Sequence, residues 1–318
     1  MIDAPTPPIP ALPAARDPAH EPGAKQPRNQ AIELLRIVAC FGIVAFHDGA
    51  PFQDLAYAGL IVFLIVAPFV DLHFNAARVR SIAVLARVLL VPWLFWLVFY
   101  GVLKVLRGYP FVPRGNVVLA VLEGATPHLW FMPFMFGVLV MLNAIKTRVA
   151  PALLFWAALL AASALFGTVA WWRPLSAGWT PPLVQWMHAA PAVFAGIAIG
   201  LAPRLAHGRA LAAALLLVAL AFAAAANLPG VSLTYPVGVV VTAAVAWWGA
   251  RLWPARWNVQ PVAACTMGIY LSHIVWLSFV RHYTGSSNYL TVAVTFAAAL
   301  ASTWAARRFV PVSRWVLG

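Results

Sequence analysis

The fold class predicted here is all-α: a polytopic membrane protein built as a bundle of about ten transmembrane helices. Three observations predict it. Of 318 residues, 63% are apolar and only 9% are charged, and mean hydropathy is +0.86, values at which lipid rather than water is the main solvent. The apolar residues are gathered into runs of about 17 to 25, the length that crosses a bilayer as a helix. Lysine and arginine fall mainly in every second loop. Hydrocarbon offers backbone amides no partner, so only helices or closed barrels span it, and these runs are too long for barrel strands.

Taken in order, residues 1–29 hold eight of the 26 prolines and no apolar periodicity, which predicts a disordered tail. The first apolar run contains Glu33 and Arg36 and is followed by no small-residue cleavage site, so it is expected to stay in the membrane. Runs of spanning length lie at 31–49, 53–73, 84–106, 127–145, 150–172, 182–202, 209–227, 234–253, 262–282 and 289–309. Together they define a transmembrane domain over 30–310, followed by a short tail, 311–318. Pro181, Pro182, Pro191 and Pro203 punctuate the sixth and seventh runs, the least regular of the ten. With the N-terminus in the cytoplasm, sixteen of the 21 Lys and Arg residues fall inside and five outside, which favours that orientation and a cytoplasmic C-terminus. The net charge of +13 is then mostly topology. Basic residues scattered over separate loops argue against a nucleic-acid partner.

Cys40 and Cys265 sit in apolar runs and read as small buried hydrophobes. With no H-E-x-x-H, Cys/His cluster or D-x-D pair, no metal site is expected. The tryptophans, including Trp171, Trp172 and Trp179, read first as interfacial belts. Ionisable groups within spans are costly and therefore functional candidates. The first helix holds three. Glu33 and Arg36 form an i, i+3 pair, and the eleven residues from Arg36 to His47 make nearly three turns, placing both on one face roughly 16 Å apart. A satisfied interfacial pair and a helix-end histidine would be the plainer reading. His128, at the expected outer start of the fourth helix, can approach His47. His273 follows Tyr270 by three residues in the ninth helix, where an interhelical hydrogen bond competes with a substrate contact. His188 is a weaker candidate, Asp48 points away from His47, and Asp71 and His73 read as solvated interface groups.

ELLRIVACFGIVAFH at 33–47 resembles the first-helix signature of the acyltransferase 3 family of membrane acyltransferases. RVLLVPW at 87–93, HLWFM at 128–132 and MGIYLSH at 267–273 resemble three further motifs of that family, in its order. Where the family usually carries F-F-x-x-S-G-F in its second helix, this chain has Phe63 to Phe69 with Ala67 and Pro68, losing the serine and introducing a kink. The resemblance implies transfer of an acyl group, commonly acetyl from acetyl-CoA, to a sugar hydroxyl of a surface or exported glycan. His47 would then be the base, Arg36 the anchor of the CoA phosphates, and Glu33 the group that orients Arg36. Arg78, Arg80 and Arg87 would add positive field for the donor, and His128, Trp130, Tyr270 and His273 would contact substrate. No bound cofactor is implied. Acyl-CoA is a cosubstrate, and the partners are membrane lipid and a saccharide acceptor, including a polyprenyl-linked one, at the bacterial inner membrane. The rival class is a transporter or flippase of a lipid-linked saccharide, which internal inverted repeats would favour; none is visible.

Overall fold

A computed structural model describes residues 29–252 and 257–318; the expected N-terminal tail through residue 28, with Arg16, Lys25 and Arg28, and also Arg256, lies outside the described residues. The described residues contain helices and no strand. In chain order these are α1 Gln30–Asp48, α2 Gln53–Phe74, α3 Ile82–Leu106, α4 Val117–Glu123, α5 Phe131–Ile145, α6 Pro151–Gly167 and α7 Val169–Ala177. They continue as α8 Leu183–Leu201, α9 Gly208–Ala225, α10 Thr234–Leu252, α11 Gln260–Ala263, α12 Thr266–Thr284, α13 Tyr289–Phe309 and α14 Arg314–Leu317.

Each of the ten expected runs holds a helix, but among the described residues length and apolarity together support six spans, or seven if a bent pair counts as one. Two differences have clear causes. The fourth run is helical only over α5, because Gly124, at φ 94°, turns the chain into a loop that carries His128 outside the helix. The fifth run breaks at Thr168, where α6 and α7 meet at 74°, so α7 turns aside rather than continuing the span.

α2 is the central helix, with α1, α8 and α10 against it. In lipid there is no hydrophobic drive to bring helices together, so close backbone approach supplies the contact energy. Glycine permits it: a Cβ at Gly42 would stand 2.7 Å from the carbonyl oxygen of Ala56, one at Gly196 2.6 Å from that of Ile65, and one at Gly238 2.6 Å from Ile61. The largest apolar core forms around α2, α6, α8, α9 and α10. A second joins α3, α5 and α12, and a third joins α1, α12 and α13. The last residues also pack: α14 lies on α3, with Leu317 buried and the Trp96 indole N–H donating to Val316 O at 2.9 Å.

The C-terminal end of α2 corrects one expectation. Asp71 is not a solvated interface group. It is buried, accepts from Lys146 Nζ at 2.7 Å, and lies 3.4 Å from Arg80. Lys146 also donates to the carbonyls of Asn75 and Arg78, so one buried pair ties the α2–α3 loop to the end of α5. Because removing one partner strands the other charge, Asp71→Ala or Lys146→Met is expected to cost about 3–5 kcal/mol. A thermal melt of the detergent-solubilised protein checks this, and the double variant should recover part of the loss.

Candidate active site

The site begins with how α1 ends. Gly49 adopts a left-handed conformation, φ 67°, and the amides of Gly49 and Ala50 return to the carbonyls of Phe46 and Ala45 at 3.0 and 3.2 Å, a Schellman closure. His47 is thereby fixed in the last turn. The neighbouring Asp48 is fully buried and accepts from Arg281 Nε at 2.9 Å, while Arg281 Nη2 donates to the Asp48 carbonyl and to Ser287 Oγ. This pair locks the end of α1 to the end of α12. Sequence reasoning missed it, because the partners are 233 residues apart and only the adjacency of Asp48 to His47 hinted at a role.

Three elements deliver one histidine each to the same place. His47 comes from α1, His128 from the loop before α5, and His273 from α12. The ring centroids are 5.1 Å apart for His47 and His273, 5.0 Å for His128 and His273, and 6.1 Å for His47 and His128. His128 and His273 are buried, whereas His47 is partly exposed and so is the approachable member. The Nδ1 of His273 lies 2.6 Å from the carbonyl of Tyr270. A carbonyl can only accept, so Nδ1 carries hydrogen, and in the neutral ring Nε2 is left as a bare lone pair. That Nε2 is buried without a partner, and neither ring nitrogen of His128 makes a well-formed hydrogen bond. The Tyr270 hydroxyl donates to the carbonyl of His128, and Tyr100 donates to Leu271 O at 2.7 Å, so two phenols hold the loop and α12 in register around the trio.

At the other end of α1, Arg36 pairs with Glu33 at 2.8 Å and donates to Thr266 Oγ1 at 3.0 Å. Glu33 thus orients the guanidinium, which remains partly exposed. α1 and α12 run side by side, with Arg36 facing the start of α12 and His47 facing its middle. Of the remaining predicted residues, Arg78 is exposed and Arg80 is engaged with Asp71. Arg87 lies over the Trp315 ring at 5.2 Å, in a groove shared with Arg314. Trp130 is buried in the main core beside Phe131 and Phe134, one step removed from the trio. Trp171 and Trp179 are exposed, while Trp172 donates to Leu165 O at 2.7 Å. No cluster of metal-binding side chains occurs among the described residues.

The histidine trio, the oriented arginine and the all-helical membrane frame agree with comparison against family models. A model described as an acyltransferase domain matches residues 29–308. The chain belongs to the acyltransferase 3 family. Comparison with curated proteins and with solved structures gives no match. As a multi-pass membrane acyltransferase of this family, the chain has its first-helix arginine and histidine on the helix that the Asp48–Arg281 pair anchors. Arg281→Met is therefore expected to lower the thermal midpoint of the solubilised enzyme, because Asp48 loses its cation, whereas Arg281→Lys should retain most of it. Equal midpoints in the two variants would show that the pair does not hold α1 to α12.

Proposed function

We propose that this acyltransferase moves acetyl from acetyl-CoA, supplied on the cytoplasmic side, to a sugar hydroxyl of an exopolysaccharide, lipopolysaccharide or other surface glycan. The observation that carries the reading is the meeting of His47, His128 and His273 at one end of α1 while Arg36 stands ready at the other. A sugar hydroxyl is a poor nucleophile at neutral pH, and an imidazole is the side chain suited to take its proton as it attacks. His47, the partly exposed member of the trio, takes that role. The hydroxyl oxygen bonds to the thioester carbonyl carbon, the C–S bond breaks, and the proton passes to the departing thiolate, giving an acetyl ester and free CoA.

Arg36, pre-oriented by Glu33, is suited to hold a donor phosphate. Arg78, Arg87 and Arg314 extend the positive field around it, and Trp315 offers a face beside Arg87. Roughly 16 Å separates Arg36 from His47 along the helix, the scale of an extended pantetheine arm. His128 and His273 have nitrogens free to bond the acceptor or the developing oxyanion. The charge pattern supports a bacterial inner-membrane protein with both termini cytoplasmic.

His47→Ala is expected to abolish acetylation of the glycan while the protein still accumulates in the membrane. Mass analysis of surface glycans from cells with and without the chain reads it as loss of one acetyl increment, and normal acetylation in the variant would remove His47 as base. Arg36→Ala should raise the apparent KM for acetyl-CoA at least ~10-fold with a smaller change in kcat, as loss of uniform binding does. An unchanged donor KM would make Arg36 structural.

A further inference from the structure

A second polar cluster lies beside the histidine trio and takes no part in the chemistry above. His188, near the start of α8, is buried. Its Nδ1 lies 2.8 Å from the Tyr235 hydroxyl, which is also 2.7 Å from the His188 carbonyl. The single phenol proton must go to the carbonyl, which only accepts, so Nδ1–H donates to the phenol oxygen and Nε2 is a lone-pair acceptor. That Nε2 is buried without a partner, as are Gln185 Oε1, the Trp186 indole N–H and Arg173 Nη1. Gln185 and His188 are three residues apart and share a face of α8. Tyr57 stacks on His188 with centroids 5.6 Å apart, and α7, which carries Arg173, packs against α8. The bend between α6 and α7 is what lays α7, with Arg173, against α8.

No acid among the described residues forms an ion pair with Arg173. Among the described residues, Glu33 pairs with Arg36, Asp48 with Arg281, and Asp71 with Lys146 and Arg80. Asp54 accepts from Gly230 N, and Glu123 lies under the influence of Lys104. A partly buried guanidinium without a carboxylate is an anion site by its own electrostatics, and its planar fork suits carboxylate or phosphate. The neighbouring helices supply the stacked faces of Tyr57 and His188, the Gln185 amide oxygen and the His188 imidazole acceptor, the mixture that recognises a sugar's apolar face and its hydroxyls. The cluster also reaches the trio: Phe46, the residue before His47, stacks on Tyr57 with centroids 4.2 Å apart.

We infer that Tyr57, Arg173, Gln185 and His188 form the acceptor subsite and select an anionic saccharide, its negative group on Arg173 and a neighbouring hydroxyl presented to His47. The inference rests on the acyltransferase reading and adds the acceptor's charge. A uronate carboxylate and the phosphate of a lipid-linked saccharide share the required chemistry.

The test uses the full chain in lipid nanodiscs without acyl donor. Three probes are titrated: a neutral glucose trisaccharide, a trisaccharide containing a hexuronic acid, and a polyprenyl-phosphate saccharide. Wild type is expected to bind at least one anionic probe ~10-fold or more tighter than the neutral one. Arg173→Gln should erase that preference, Arg173→Lys should keep part of it, and Gln185→Ala should weaken neutral and anionic sugars alike. The probe whose binding responds to Arg173 names the source of the anion. Equal binding of all three probes by wild type, or an unchanged preference in Arg173→Gln, overturns the inference. Acyl transfer measured in parallel separates the two levels. Charge-selective binding with no transfer to any acceptor would sink the acyltransferase reading and leave the site. Transfer that proceeds equally to neutral and anionic acceptors, in wild type and Arg173→Gln, would sink the site and leave the reading.

Discussion

The close approach of α1 to α2 is the constraint on which the rest of the structure depends. Between helices surrounded by lipid, attraction comes from dispersion at short range, and that requires backbones to touch. Gly42 and Gly59 provide the contact from both sides: a Cβ on either would run into the carbonyl of Ala56 or Ala39. Once α1 is seated there, the Schellman turn at Gly49 sets where His47 stands, and the middle of α12 and the Gly124–Trp130 loop meet it there. Gly196 and Gly238 repeat the device for α8 and α10, so the helix that carries His188 and the helix that carries Tyr235 are held against the same central element. Both polar clusters thus descend from one packing rule.

Charge pairs then fix the ends that packing leaves free. Asp71 with Lys146 and Asp48 with Arg281 each bury a carboxylate and join elements far apart in the chain. In a low-dielectric interior such pairs are weak sources of net stability but severe penalties for misassembly, since a misplaced helix would strand a charge. They act as registration pins. The phenols of Tyr100 and Tyr270 do the same with neutral groups, and the result is a trio of histidines gathered from three elements without any of them serving as a structural hydrogen-bond bridge to another.

Much of this was legible in the sequence because its physics is local. Apolar runs mark helices, and the eleven-residue interval from Arg36 to His47 fixes a shared face whatever the rest of the fold does. The Glu33–Arg36 pair follows from the same geometry. What escaped the sequence is non-local. Nothing in the run 127–145 says that Gly124 will hold the chain in a left-handed turn and leave His128 in a loop, and the bend at Thr168 has no proline to announce it. Asp71 read as a solvated end group because Lys146, 75 residues on, is adjacent only in three dimensions. His188 looked like an isolated histidine in an apolar run until Tyr57, Tyr235 and Arg173 closed around it.

The departure at Ala67 and Pro68 shows how packing can absorb a change near a motif. Proline within a helix gives up one hydrogen bond and pushes its ring into the preceding turn. Here Pro68 is buried, and the space for its ring comes from α8, where a Cβ at Gly196 would lie 2.7 Å from Pro68 Cγ. The proline ring and the bare glycine are therefore one complementary contact. α2 runs antiparallel to α1, with Gln53 donating to Phe46 O near the histidine end, so Pro68 lies some 15 residues, about 22 Å, down the helix from that end. The lost serine hydroxyl, at Ala67, belongs to the same turn of α2, toward the Arg36 end of α1. The histidine trio, built by α1, α12 and the loop before α5, does not depend on it, and any consequence of the substitution must fall about three to four helical turns away from the trio.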